Sequence, residues 1–437
     1  MGYRVLSLDG GGGIRSIVQC VLLDEIEKQL YATPISDLFD YMIGSSTGGI
    51  VALSLATTNK TPLQMVDLFD KIAKKVYKTN TLYKLNCRAN KYRNQEMIKL
   101  LSQTVSTNPE DVNSYKKVKV AVTSVLDESF QLGNEQKETL DYNEHIKPCI
   151  FPFYFRIPSI DSISEVRNAS ILDAGLATCA TPSFFPSFKL GNNKYRDGAL
   201  LNKNPCNIAL SETKQLWNEN NMDIFLSLGT GTTFKDSNIL NNLNNNNNTT
   251  HKQNNGSISA SQSFISSESE ETYGGMIREN QWMNDISFRL NPELSKHISL
   301  DSSDESSRNL LKNESRSFIL NNQIFNNLCS KLLSSLFYLD NVEIDKSSNQ
   351  VRGIIKCRLK NVPSPIVNQL NIKSFITEQC DIELLDINLT PFSIPFKITS
   401  PPINNEIDIK CNLVCLNGRV NNTSISGSPF NLKKLNK

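Results

Sequence analysis

Histidine is scarce: the 437-residue chain has three, His145, His251 and His297. Imidazole is the side chain most used for proton transfer near neutral pH and for metal ligation. The scarcity points to a chemistry that does without histidine. Long apolar runs are missing as well. The longest uncharged stretch with an apolar run, Tyr41 to Asn59, is broken by Gly, Ser and Thr, whereas a spanning helix needs ~20 apolar residues. Neither sign of charge dominates, with 46 Lys and Arg against 44 Asp and Glu for a net +2. That argues against a polyanion-binding surface over the whole chain, and nucleic acid is not expected as a partner.

The ten cysteines are scattered, and the close pair Cys411 and Cys415 lacks a second pair at zinc-site spacing. They read as reduced thiols, mostly small buried hydrophobes, and no metal or cofactor is expected. The chain opens Met1-Gly2-Tyr3-Arg4-Val5 and runs into a strand pattern with no basic region, apolar stretch and cleavage site in sequence. Leu6 stands where a myristoylation pattern wants Ser or Thr. A cytoplasmic location is expected, peripheral to membranes at most.

What is present is an α/β grammar followed by something else. Val5-Leu6-Ser7-Leu8 reads as a buried strand, then glycines, then a helix from about Ile17 to Leu30 whose Val18, Leu22 and Ile26 recur every four residues. Phe39 to Ile43 repeats the pattern, with a small-residue turn at Gly44 to Gly49 and a helix through Ile50-Val51-Ala52-Leu53. Further strands are predicted at Val118 to Val122 and Ile224 to Leu228. From Asn238 to Asn255, ten of eighteen residues are asparagine, and a Ser/Glu-rich stretch continues to about Glu271. Such a segment buries too little apolar surface to offset its ordering entropy, so a disordered insert is expected. A helical pattern from roughly Ser315 to Leu339 carries Leu328, Leu332, Leu333 and Leu336 on one side. Beyond Asp340 come short alternating segments such as Val351 to Cys357 and Ile407 to Cys411, separated by Pro and Asn turns, which suggest a small β-sandwich.

Three motifs carry chemistry. Gly44-Ser45-Ser46-Thr47-Gly48 is a G-x-S-x-G between a strand and a helix. A sharp turn there needs small neighbours and lifts the central Ser46 out at the carboxyl end of a sheet, with the positive end of the following helix at the place where an oxyanion would form. Asp9-Gly10-Gly11-Gly12-Gly13-Ile14-Arg15-Ser16 also lies between a strand and a helix. Its consecutive glycines let backbone N–H groups converge on an anion. As a dinucleotide fingerprint, G-x-G-x-x-G, it fails at the third glycine in every register; beside a serine nucleophile it reads as an oxyanion hole. The third motif is Asp197-Gly198-Ala199. A serine hydroxyl is weak until a base takes its proton, and with no histidine in a triad context a carboxylate acting alone is the economical base. Gly198 beside it would permit a close approach to the nucleophile.

These residues, in this order, resemble the patatin-like phospholipases. The glycine loop ending in Ile14-Arg15, the Gly44 to Gly48 elbow, Ala174 to Pro186, Asp197-Gly198-Ala199 leading to Asn204-Pro205, and Ser227-Leu228-Gly229-Thr230-Gly231 give five ordered elements. The resemblance implies a metal-independent serine–aspartate dyad lipid acyl hydrolase. In it Ser46 is the nucleophile, Asp197 the general base, and Gly10, Gly11, Gly12, Gly13, Ile14 and Arg15 the oxyanion loop. The expected architecture is a three-layer α/β domain over residues 1–235, a disordered insert over 236–272, a helical return over 273–339, and a β-rich module over 340–437 that resembles immunoglobulin-like repeats at Gly427-Ser428-Pro429-Phe430. The family loop usually has one glycine fewer and a glycine where Ser16 stands. One displaced donor there would cost ~2.7–4 kcal/mol, and this departure motivates the alternative of a catalytically impaired lipid-binding or scaffold protein. Nucleotide binding is a distant third reading.

Two segments suggest how substrate is handled. Between Lys71 and Gln95 lie Lys71, Lys74, Lys75, Lys78, Lys84, Arg88, Lys91 and Arg93, no acidic residue, and Tyr77, Tyr83 and Tyr92. That composition suits an anionic lipid surface and equally a solvated face. The aromatic run Ile150 to Phe155 is expected to pack in the core, an acyl pocket being the other option.

Overall fold

The structure is a computed structural model of the chain. It describes all residues except 78–90, 93, 106–117, 129–145, 154–163, 167–168, 218–221, 234–257, 346, 371–373, 386–387, 390–391, 400, 402–405, 417–421 and 433–437, and gives the backbone alone for 258–268 and 388–389.

The central sheet contains β1 (Tyr3–Leu8), β2 (Tyr41–Ser45), β3 (Lys119–Asp127), β4 (Ile146–Pro152), β5 (Ser164–Glu165), β6 (Phe188–Leu190), β7 (Asn193–Asp197) and β8 (Met222–Leu228). Beyond β9 (Thr232–Thr233), β10 (Ser287–Leu290) is its edge strand, while β11 (Glu293–Leu294) pairs with β9. The order is β10-β8-β1-β2-β3-β4-β5, parallel from β10 to β3, with β4 and β7 antiparallel to β3 and β6 antiparallel to β7. The strands β1, β2 and β8 are buried along their whole length, as parallel strands covered on both faces must be.

The helices are α1 (Ile17–Gln29), α2 (Ile35–Leu38), α3 (Ser46–Thr57), α4 (Pro62–Lys75), α5 (Asn94–Ser102), α6 (Ile171–Thr178), α7 (Cys206–Leu216), α8 (Ile258–Glu279), α9 (Glu305–Ile319), α10 (Gln323–Ser334) and, in the C-terminal part, α11 (Ser364–Val367). One face of the sheet, through Leu6, Leu8 and Met42, packs on α1, α3 and α4; the other, through Val5, Tyr41 and Ile43, packs on Ile208 and Leu210 of α7 and Met276 of α8. The three-layer expectation thus holds. Local chemistry sets the helix ends. Thr61 and Gln64 form a capping box at the start of α4, with Pro62 at the first helical position. Its Met65, Phe69 and Ile72 face the core, and Lys71, Lys74 and Lys75 face out.

Three expectations need revision. Residues 234–257 lie outside the described residues, but from Ile258 the stretch assigned to the insert is the helix α8. The segment expected as a helical return also contributes a strand, since Ser287–Leu290 of β10 pairs in register with Phe225–Leu228. Four residues with no long apolar run are a faint signal by sequence. The single helix expected from Ser315 to Leu339 is two elements. After α9 ends, Asn321 turns the chain at φ +62° and the Asn322 side chain accepts from Phe325 N–H at 3.0 Å to cap α10, after which Phe337 opens β12.

The C-terminal module is antiparallel: β12 (Phe337–Asp345), β13 (Gln350–Cys357), β14 (Phe375–Ile376), β15 (Ile382–Leu384), β16 (Asn388–Leu389), β17 (Phe392–Ile398), β18 (Glu406–Ile407), β19 (Lys410–Cys411), β20 (Thr423–Ser424) and β21 (Phe430–Asn431) form a five-stranded sheet and two small ones. Ile407 to Cys411, expected as one strand, is split between β18 and β19. Phe337 meets the rings of Phe375 and Phe392 at 5.2 and 5.7 Å. Nine described cysteines are free thiols. The module docks on the end of the sheet where β1 and β8 begin. Gly2 N–H donates to Ser426 Oγ at 2.9 Å, and the Arg358 guanidinium contacts Asp40, Asp223, the Gly2 carbonyl and Ser426. Burial pushes the Arg358 pKa down to about 10, with Arg4 adding repulsion and Asp40 and Asp223 opposing it. Removing one partner of a buried ion pair leaves the others uncompensated, so Arg358→Ala should destabilise the protein by about 3–5 kcal/mol. Urea unfolding measures this, and a loss under ~1 kcal/mol would show that the docking does not depend on Arg358.

Candidate active site

One strand, β3, brings the first and third motifs together. On one edge it pairs with β2, where Ser45 faces Thr123; one residue further along the same edge it pairs with β7, where Asp197 faces Ser124. The antiparallel β7 therefore ends where β2 ends, and residues far apart in sequence meet. Ser46 Oγ donates to Asp197 Oδ2 at 2.8 Å. The Arg196 guanidinium, bound to Asp127 Oδ2 at 2.7 and 2.9 Å, fixes β7 against β3.

Ser46 is the first residue of α3 and holds φ +52°, the left-handed conformation that lifts a nucleophile out of a strand-to-helix turn. Its N–H donates to Thr178 Oγ1 at 2.8 Å, and that hydroxyl donates onward to the Thr123 carbonyl at 2.6 Å. Gly48 is required because a Cβ there would lie 2.4 Å from the Asp9 carbonyl oxygen, so the first turn of α3 sits against the start of the glycine loop. Gly198 makes a different approach from the one expected: a Cβ on it would meet the Thr123 carbonyl oxygen at 2.4 Å, so its close neighbour is β3.

Asp197 is 3% exposed. Its Oδ2 accepts from Ser46 and Thr181 hydroxyls, and its Oδ1 accepts from Ala199 N–H at 2.8 Å. Burial pushes its pKa up, and the hydrogen bonds from Thr181, Ala199 and Ser46 oppose that rise. Cys179 lines the same cavity, and burial together with the Asp197 charge raises its thiol pKa well above the usual range. Cys179 is therefore no thiolate at neutral pH.

The glycine loop divides into engaged and open donors. Gly10 N–H donates to the Lys203 carbonyl at 2.7 Å, Ile14 N–H to the Leu300 carbonyl at 2.9 Å and Arg15 N–H to the Gly12 carbonyl at 2.7 Å. The N–H groups of Gly11, Gly12 and Gly13 have no acceptor among the described residues. Gly13, at φ +49°, opens a single 3₁₀ turn, Gly13–Ser16, that leads into α1. Ser16, where the family has glycine, donates to Thr47 Oγ1 at 2.6 Å and ties that turn to the elbow. The Arg15 guanidinium donates to the carbonyls of Thr230 and Gly231, and the residue is part of the cleft lining.

A cleft of about 810 Å³, mouth included, opens over Ser46 and Asp197. Tyr77, Met97, Phe184, Phe185, Leu200 and Leu300 line it. The expected aromatic run does not: Ile150 and Phe151 are core residues, Phe153 packs against the core, and Tyr154 and Phe155 lie outside the described residues. Of the basic segment, Lys78, Lys84, Arg88 and Arg93 lie outside them too. Lys91 pairs with Asp301, and Tyr92 is buried against Phe184 and Phe185. His145 and His251 are likewise outside the described residues, and the exposed His297 does not line the cleft. Sequence reasoning missed Thr178 and Thr181; both fall within Ala174 to Pro186, the quoted stretch to which it gave no chemical role.

An α/β sheet with a serine on a strand–helix elbow, hydrogen-bonded to a buried aspartate beneath a glycine loop, is the arrangement of a serine-hydrolase-type site. Residues 6–210 match the family model described as Patatin-like phospholipase, and the chain carries a domain of that family. Calcium-independent phospholipase A2-gamma of Homo sapiens is 28% identical over 341 residues, 76% of this chain and 40% of that protein. Phospholipase A I of Arabidopsis thaliana is 24% identical over 276 residues, 53% of this chain and 21% of that protein. The cGAMP-activated phospholipase of Escherichia coli (strain TW11681) is 27% identical over 249 residues, 53% of this chain and 63% of that protein. The match spans 40% of the length of the mammalian relatives.

The Thr181 hydroxyl stabilises the ionised form of Asp197, so its loss raises the carboxyl pKa further. Acylation of Ser46 by an activated ester, followed against pH, should fall on the acid side at a pH above the ordinary aspartate value of ~3.9. In Thr181→Val that limb should move to higher pH; no movement, or movement to lower pH, contradicts the assignment.

Proposed function

We propose that the protein is a lipid acyl hydrolase that cleaves fatty-acyl esters of glycerolipids through an acyl-enzyme on Ser46. The observation that supports this most directly is the 2.8 Å hydrogen bond from Ser46 Oγ to Asp197 Oδ2 at the floor of an apolar cleft. In the proposed reaction Asp197 takes the Ser46 proton as Oγ attacks the ester carbonyl carbon. The negative oxygen is received by N–H groups of Gly11, Gly12 and Gly13 and by Thr47 N–H in the open first turn of α3. Collapse of the intermediate breaks the ester C–O bond, and Asp197 returns the proton to the departing alcohol. Water then loses a proton to Asp197, attacks the acyl-enzyme, and fatty acid leaves as Ser46 regains its hydrogen. The names of the three relatives given above support a lipid ester as substrate. A tyrosine, a methionine, two phenylalanines and two leucines suit an acyl chain.

The alternative of an impaired scaffold rests on the extra loop glycine, on Ser16 and on the C-terminal half outside the resemblance. Three open N–H groups, and a Ser16 hydroxyl that binds the elbow, weigh against it. Release of labelled fatty acid from phospholipid vesicles tests the proposal. Ser46→Ala should abolish it, and Asp197→Asn should lower it by roughly 10²–10⁴-fold; turnover within tenfold of wild type in either would sink the dyad.

The protein meets its substrate at a lipid surface in this reading, with Lys71, Lys74 and Lys75 on the outer side of α4 turned toward anionic headgroups. Flotation with anionic vesicles should exceed flotation with neutral ones, and Lys71→Glu/Lys74→Glu should erase the difference. Equal flotation of wild type with both vesicle types would refute this surface.

A further inference from the structure

The glycine loop begins at a buried charge whose partner comes from beyond the matched family residues. Asp9 and Arg289 side chains are 1% and 8% exposed. The Arg289 guanidinium reaches both Asp9 oxygens, at 3.0 and 2.7 Å, and also Ser227 Oγ at 2.7 Å, Ser269 Oγ at 3.0 Å and Glu270 Oε1 at 2.7 Å. Ser269 donates to Asp9, and Asn291 holds Glu270. Arg289 lies on β10, and Ser269 and Glu270 lie on α8. The Asp9 main chain is fixed as well: its N–H donates to the Leu228 carbonyl at 3.0 Å, and its carbonyl accepts from Gln19 Nε2 at 2.9 Å. At the far end of the loop, Ile14 N–H is held by the Leu300 carbonyl at 2.9 Å. Leu300 adjoins Asp301, which is anchored by Lys91 and Tyr92.

We infer that Arg289, acting through Asp9, is a positioning residue for the glycine loop, so that the working site extends into the segment after residue 257. The loop has open N–H groups between two clamps, and both clamps belong to that segment. Only a planar fork can span both Asp9 oxygens, Ser227 and Glu270 together. A buried ion pair is by itself weak evidence for stability, and this one is placed where a shift of the chain moves Gly10 and the donors after it. The inference rests on the hydrolase reading for what the loop does, and on geometry alone for what holds it.

Full-length wild type and Arg289→Lys are compared in two readouts: steady-state hydrolysis of a p-nitrophenyl ester of a medium-chain fatty acid, and hydrogen exchange of peptides. The lysine keeps the charge and loses the fork. Its kcat should fall about tenfold to a hundredfold with KM within about twofold, and exchange should speed up in residues 8–16 while residues 351–357 keep wild-type protection. Should Arg289→Lys fail to fold, Asp9→Asn, which keeps a hydrogen-bond acceptor, carries the same expectations. Wild-type kcat or wild-type loop exchange in the variant overturns the inference, as does faster exchange spread evenly over all peptides. If wild type itself releases no acid, the hydrolase reading fails, and the exchange result alone decides whether Arg289 holds the loop.

Discussion

The hydrogen bond between Ser46 and Asp197 exists because β3 is longer than β2. The first part of its edge is taken by β2, and the remainder is left for β7 to pair in the opposite direction. Two strands that end at one point on a common template bring together side chains separated by 151 positions in sequence. Much else follows from that point. The elbow needs its small residues because α3 starts there against the glycine loop, and Thr178 and Thr181 come from the end of α6 and the turn after it. The cleft lies at the carboxyl end of β2, where open α/β sheets bind ligands.

Two buried aspartates near this point have opposite surroundings. Asp9 faces a guanidinium and is part of a charged network of Arg289 and Glu270. Burial pushes the Glu270 pKa up, yet Arg289 and Asn291 together bring it below the usual value. Asp197 is held by hydroxyls and one N–H, with burial raising its pKa. Burial raises the Asp9 pKa as well, against the opposing charge of Arg289, so the two differ in their partners and not in the direction of the shift: Asp9 is held by a cation, Asp197 by neutral donors in an apolar cleft. In the proposed reaction Asp197 receives the proton, while Asp9 is given the role of holding the loop.

The strands β1, β2, β3 and β8 and the Ser46 elbow were legible in the sequence because they depend on local rules, apolar runs and a small-residue turn between strand and helix, whereas Asp197 was singled out by the scarcity of histidine and by the order of the motifs. The glycine loop was legible as a loop, but which N–H groups stay open depends on Lys203 and Leu300, and no local pattern announces their carbonyls. Thr178 and Thr181 act through contacts with other strands, and threonines at a helix end ordinarily signal capping. Arg289 was hidden by its setting, a four-residue strand following an asparagine-rich stretch whose composition led Ser269 and Glu270 to be counted with the insert. The docking of the C-terminal module through Arg358 rests on tertiary partners alone.

In the proposed reaction Ser46 is a nucleophile activated by Asp197. Reaction of the full chain with a fluorophosphonate, read by peptide mass spectrometry, tests this most directly. One phosphonyl group on Ser46, formed far more slowly in Asp197→Asn, is the predicted result. An unmodified Ser46, or labelling at the same rate without the Asp197 carboxylate, would contradict it.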